Sequence, residues 1–264
     1  LSSQMWQSSP SRSRSILGAA SAKICRKAIE RGIEVVSLSR RGKATDKIAK
    51  EPWAKEVQWV AGSALDPPSF RSHLETCNGV IHSIGILLEN NLNKFVSGSQ
   101  ASGAGLSYEQ VNRDTALVVA REARRLPPVQ SFVFVSAKSA PPFLQRYILA
   151  KRDVENELRT YGHDELRSAF LYAGMIYHES KPGSPQMASL LKIGSAVNET
   201  MLNYVGFGLS GVDEPTDLNT LAAAAVQASI DPNIEGIVDN QRMGMLATMA
   251  EEHPRDYPPT PERR

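Results

Sequence analysis

The sequence predicts a doubly wound α/β fold built on a parallel sheet, and three observations predict it. Short β-branched and aromatic runs recur along the chain at 34–40, 57–62, 79–85, 131–137 and 168–177. These runs are apolar almost throughout instead of alternating, as strands buried on both faces of a parallel sheet require. Helical patterns lie between them, and strand–helix–strand order in one chain implies parallel pairing with right-handed crossovers.

Each element has a local reason. Residues 34–40, EVVSLSR, are bounded by Gly32 and Gly42, and 57–62, VQWVAG, ends on a glycine. The helix expected over 20–31 puts Ala20, Ile24 and Ala28 on one face. The helix over 68–77 opens after Asp66-Pro67-Pro68, where a missing N–H costs least. Residues 107–125 place Tyr108, Val111, Val118 and Val119 on one side, and 216–230 form a further helix. The run before residue 18, SSPSRSR, contains no apolar stretch, so the first strand is expected to be degraded or missing.

The chain has 264 residues, 41% of them hydrophobic, enough for one sizeable core. Three parts are expected: a Ser/Arg-rich segment over 1–17, a nucleotide-binding domain over 18–250, and a disordered Pro-rich tail over 251–264. Acids are absent from the first 29 positions while Ser and Arg abound, the profile either of a mitochondrial targeting segment or of a disordered tail. With net charge +2 and no long basic stripe, nothing points to nucleic acid. Cys25 and Cys77 lie far apart, which argues against a disulfide framework or a zinc knuckle. No apolar run approaches the roughly 20 residues of a membrane span.

Doubly wound sheets bind ligands at the carboxyl ends of their strands. There the chain carries Ser39, Arg40 and Arg41 where the 34–40 run ends, with no acid. Arginine at that end suits the 2′-phosphate of NADP(H), whereas an acid suits the free hydroxyl of NAD(H); two solvated turn arginines are the alternative. Ser83 and Gly85 end the 79–85 run, where small residues admit a nucleotide or simply make a turn. Ser136 ends the 131–137 run, and Tyr147 and Lys151 follow at helical spacing i, i+4, in line with Val154 and Leu158. A lysine ammonium beside a phenol is expected to lower the Tyr147 pKa and make it a general acid or base, with Ser136 holding a substrate carbonyl.

YILAK after FVFVSA, SIGILLEN over 83–90 and YEQVNRDTALVVAREA over 108–123 resemble the extended and atypical short-chain dehydrogenase/reductase superfamily. More narrowly, they resemble fungal mitochondrial relatives of the NAD(P)-binding subunit of respiratory complex I, including reductase-like proteins associated with coenzyme Q biosynthesis. The resemblance implies a Rossmann-like fold with Ser136, Tyr147 and Lys151 as the catalytic set. It places Gly18, Arg40, Arg41, Ser63, Ser83, Gly85, Asn112 and Lys151 beside the cofactor, NADP(H) rather than NAD(H). It also implies a mitochondrial biosynthetic or respiratory complex as partner, on the matrix side of the inner membrane, and gives Asp217 a helix-capping role.

The chain departs from that pattern in three places. The glycine-rich loop aligns with SILGAAS over 15–21, of which only Gly18 survives, so dinucleotide binding is expected to be weakened or lost. Ser63 stands where an adenine-contacting acid is expected, with Asp66 three residues on, and Tyr172-Ala173 replace an Arg-Pro pair. Residues 180–211 are rich in Gly, Met and Leu, and either line a pocket for a hydrophobic substrate, lie against a membrane or partner, or pack as core. Three functions stay open: an NADP(H)-dependent oxidoreductase, a cofactor-binding scaffold, and a degenerate interaction module.

Overall fold

The computed structural model describes residues 15–19, 22–84, 109–139, 145–174, 176–177 and 216–252. The expected substrate region over 180–211, Gly85 and the tail from 253 onward lie outside the described residues.

Seven strands form one parallel sheet. In chain order they are β1 (Ser15–Ala19), β2 (Glu34–Ser39), β3 (Val57–Ala61), β4 (Gly79–His82), β5 (Ser131–Ala137), β6 (Arg167–Ala173) and, at the far edge, Gly236–Val238. Two short strands between them, β7 (Ile176–Tyr177) and β8 (Thr216–Asp217), pair only with each other, and the edge strand is therefore β9. The order across the sheet is β3-β2-β1-β4-β5-β6-β9, so the chain reverses direction of growth at β1. This is the doubly wound topology the sequence predicts.

The first strand corrects one expectation. It is present and central: Ser15 to Gly18 pair with Glu34 to Ser37 on one side, and Ile16 to Ala19 pair with Gly79 to His82 on the other. Five residues suffice because both neighbours supply the hydrogen bonds that a lone SILGA segment could not make for itself. Residues 15–17 accordingly belong to the sheet rather than to an N-terminal appendage.

The helices cover both faces. α1 (Ala22–Glu30), α6 (Leu218–Ile230) and α7 (Asn240–Glu252) pack on one side through Ile24, Ala28, Leu221, Ala225 and Met243 against Val35, Ile81, Val133, Val135 and Leu171. The run of four alanines, Ala222–Ala225, keeps α6 slim, so an almost wholly buried helix lies close against β4 and β5. The other side carries α2 (Arg71–Leu74), α3 (Thr115–Arg125), α4 (Gln145–Arg159) and the short α5 (His163–Leu166). Their Leu74, Ala116, Val119, Val154 and Leu158 meet Val36, Val80, Phe132, Phe134 and Phe170. The expected helix over 68–77 shrinks to a 3₁₀ turn at Pro67–Ser69 followed by four α-helical residues. α3 is entered through a π-helical turn, Gln110–Asp114.

Candidate functional site

Parallel pairing puts Ser39, His82, Ser136 and Ala173 at one edge of the sheet, through the pairs Ser39 with Ala61, His82 with Phe134 and Ser136 with Tyr172. That edge is where side chains from α4 and the strand-end turns converge.

Arg40 and Arg41 are exposed on the turn after β2. The turn is tight: the Gly42 amide donates to the Ser39 carbonyl at 3.2 Å, and the Gly62 amide donates to the same oxygen at 3.0 Å. Ser63 is engaged locally, its amide donating to Ser69 Oγ at 3.0 Å and its hydroxyl accepting from the Leu65 amide at 3.3 Å. Ser83 is half-buried just past β4, and Asn112 is fully buried inside the π-helical turn. π-Helical turns inside α-helices occur frequently at functional sites, and this one is invisible in the sequence. Gly18 does not sit in a loop; it lies within β1 opposite Ser37 and Ile81.

On α4, Lys151, Val154 and Leu158 form the buried stripe that the spacing predicts. The Lys151 ammonium donates to the Val135 carbonyl at 2.8 Å and lies 4.4 Å from the Phe134 ring centroid and 5.6 Å from that of Tyr147. Burial pulls the Lys151 pKa down to about 7, against the opposing pull of the Glu155 carboxylate. The Tyr147 phenol moves the opposite way from expectation: burial pushes it up to about 12. The ammonium faces the ring and bonds to a backbone carbonyl, so it does not offset the desolvation of a phenolate. Tyr147 therefore holds its proton.

Two groups at this edge escaped the sequence reading. His82 is fully buried, and neither ring nitrogen has a hydrogen-bond partner. Its ring lies 6.2 Å from Phe132 and 5.8 Å from Phe134, and burial together with the Lys151 charge lowers its pKa to about 3. Glu155 is 0% exposed and accepts four side-chain donors. Oε1 accepts from Ser136 Oγ at 2.5 Å and from Arg152 Nη1; Oε2 accepts from the Tyr172 hydroxyl at 2.6 Å and from Arg159 Nη2 at 3.1 Å. Ser136 thus spends its proton on Glu155 and not on Tyr147. Tyr172, standing where the resemblance expects arginine, is stacked 4.6 Å beneath the Arg152 guanidinium. At the start of α6, Asp217 caps the helix, accepting from the Asn219 and Thr220 amides at 2.8 and 3.0 Å. Among the described residues no cluster of His, Cys, Asp and Glu is placed to hold a metal ion.

With this geometry in hand, solved structures identify the architecture. The UDP-glucose 4-epimerase of Thermus thermophilus, in complex with NAD, superposes with a TM-score of 0.58 at 15% identity, over 95% of this chain and 87% of that one. The two share a Rossmann-like fold. The Bordetella bronchiseptica enzyme WbmF, in complex with NAD+, matches at the same TM-score with 12% identity, over 96% of this chain and 82% of that one. The Saccharomyces cerevisiae MIOREX complex component 2 is 31% identical over 170 residues, 52% of this chain. The match spans 61% of that relative's length. No protein-family profile matches the chain.

Those two solved structures hold NAD, and this chain carries polar groups at both ends of the corresponding sheet edge. The Lys151 ammonium gives one of its three protons to the Val135 carbonyl, and the buried His82 ring at the end of β4 has no partner on either nitrogen, so polar atoms that could meet a ligand lie where α4 crosses β4 and β5. Arg40 and Arg41 stand exposed at the β2 end. Between the ends the chain is abbreviated: β1 runs to Ala19 and α1 starts at Ala22, leaving Ala20 and Ser21, neither a glycine, as the whole connection.

Proposed function

We propose that this chain is a mitochondrial NAD(P)-binding-fold protein of the short-chain reductase type, acting on the matrix side of the inner membrane as an NADP(H)-dependent reductase in support of ubiquinone biosynthesis or respiratory-complex function. The observation that carries the reading is the Tyr147–Lys151 pair on the buried face of α4, with Lys151 bonded to the carboxyl end of β5. A nicotinamide cofactor held there would supply a hydride. Tyr147 keeps its proton at neutral pH and, although burial makes the phenol a weaker acid, it would pass that proton to the oxygen of a carbonyl that takes the hydride at carbon. Lys151 orients a polar ligand group through its remaining donors. Ser136 ties the end of β5 to α4 through Glu155. Arg40 and Arg41 favour a 2′-phosphate. The quinone setting and the hydrophobic substrate rest on the sequence resemblance. The mitochondrial setting and the partner complex draw on the Ser/Arg-rich N-terminal composition and on the yeast relative, which is itself a complex component.

A second reading, a scaffold that retains the fold without turnover, is favoured by the glycine-free two-residue connection after β1. Calorimetric titration with NADPH and NADH, paired with Tyr147→Phe in cells lacking the native gene, separates them. Tighter NADPH binding and a loss of quinone-dependent respiration in the variant support the reductase. Full function of the variant, or no binding of either nucleotide, supports the scaffold.

A further inference from the structure

We propose that Glu155 is the positioning residue of this site: its buried carboxylate locks α4 to the carboxyl ends of β5 and β6, fixes Tyr147 and Lys151 at the sheet edge, and supplies the counter-charge to Lys151. The inference rests on the reductase reading for its purpose, though not for its test.

The geometry is that of a seam. Four consecutive residues at the end of β5 are each held by a side chain of α4: the Val135 carbonyl by Lys151 at 2.8 Å, the Ser136 hydroxyl by Glu155 at 2.5 Å, and the Ala137 and Lys138 carbonyls by Arg152 Nη2 at 2.8 and 2.7 Å. Tyr172 adds β6 to the same carboxylate. Both Glu155 oxygens accept two donors, two of the four from guanidinium groups, so the polar atoms of a side chain at 0% exposure are fully engaged. Its donors come from α4, β5 and β6 together, so its role is to fix one element against the others. It lies one helical turn beyond Lys151, which lies one turn beyond Tyr147, so a shift of α4 along β5 moves all three together.

Among the described residues, the titratable and charged groups around Lys151 are few. α4 contributes Glu155 and Tyr147, and β4 contributes His82, which is neutral. β5 contributes only the Val135 carbonyl and the Phe134 ring. Glu155 is thus the one anion among them acting on this ammonium. A neutral glutamine at 155 keeps the shape and removes the charge.

The test is the titration of Lys151 itself, followed by NMR of ¹³C-labelled lysine in the full chain without nucleotide, with the resonance assigned by Lys151→Arg. Glu155→Gln is expected to lower the midpoint by about one pH unit, since an opposite charge nearby favours the ammonium. Glu155→Asp, which restores the charge, is expected to fall nearer the wild-type midpoint than Glu155→Gln. Arg159→Gln removes a partly exposed cation from the carboxylate and is expected to move the midpoint upward, so it carries the test if Glu155→Gln does not fold. A midpoint unmoved in Glu155→Gln, or in Arg159→Gln should the first not fold, overturns the proposal, even if thermal stability falls, because a merely structural carboxylate affects melting alone. Failure of the wild-type protein to bind NADPH counts against the reductase reading and leaves this titration standing.

Discussion

Gly42 and Gly32 make a matched pair. Both adopt left-handed backbone, with φ of +59° and +68°. A Cβ on Gly32 meets nothing within 4 Å, whereas on Gly42 it falls 2.6 Å from Ala61 Cβ, 2.6 Å from the Ala61 nitrogen and 2.8 Å from Ala61 Cα. Gly32→Ala carries only the conformational cost of a left-handed alanine, about 1–2 kcal/mol. Gly42→Ala adds an overlap with backbone, and overpacking of that kind costs typically about 1–3 kcal/mol more. The expected totals are about 1–2 and about 2–5 kcal/mol, and at about 2–4 °C per kcal/mol the second variant melts roughly 2–12 °C below the first. Urea unfolding of both variants at one pH reads the difference directly. The turn that Gly42 closes also presents Arg40 and Arg41, so Gly42→Ala is expected to reduce any preference for NADPH over NADH, while Gly32→Ala leaves it unchanged. Equal destabilisation of the two variants would refute the close approach of the β2 turn to β3.

Lys151→Met is expected to flatten the pH dependence of stability. The unfolded lysine titrates near 10.5 and the folded one near 7, so between these values the unfolded state binds more protons and this group makes stability rise with pH. Tyr147 acts in the opposite sense only above its unfolded value of 10.0, since the folded phenol keeps its proton to about 12. Urea melts of wild type and variant across pH 6–10 check the sign: loss of the rising limb in Lys151→Met supports it, and an identical slope refutes it. Asp217→Ala leaves the Asn219 and Thr220 amides uncapped and is expected to destabilise the protein by about 1 kcal/mol, measurable by the same melts.

Strands β2 to β6 were legible because each is a compact apolar run between breakers, and the α4 stripe because Tyr147, Lys151, Val154 and Leu158 repeat at helical spacing. β1 was not, because SILGA owes its strand state to partners at Glu34–Ser37 and Gly79–His82 rather than to its own composition. β9 and α7 were passed over as well: Gly236 opens a strand of three residues and Gly244 interrupts the helical pattern. Glu155 is not among the residues that the sequence singles out, and its burial depends on Ser136 and Tyr172 arriving from other strands. Arg152 and Arg159, at i−3 and i+4 from it, were the local signal. The Tyr147 pKa failed for the same reason: spacing brings a lysine near but does not say which atom takes its proton.

The position of β1 has a consequence for how the chain reaches this state. Among the described strands it comes first in the chain, yet it ends up in the middle, and Ile16 waits for Gly79 until α1, β2, β3 and α2 have all been made. Until β4 arrives, one edge of β1 stands open and templates any other extended segment within reach. Non-local parallel pairing of this kind is slow. The nascent chain therefore carries an aggregation hazard at Ser15–Ala19, and a chaperone that shields this strand until β4 is made protects the sheet as a whole.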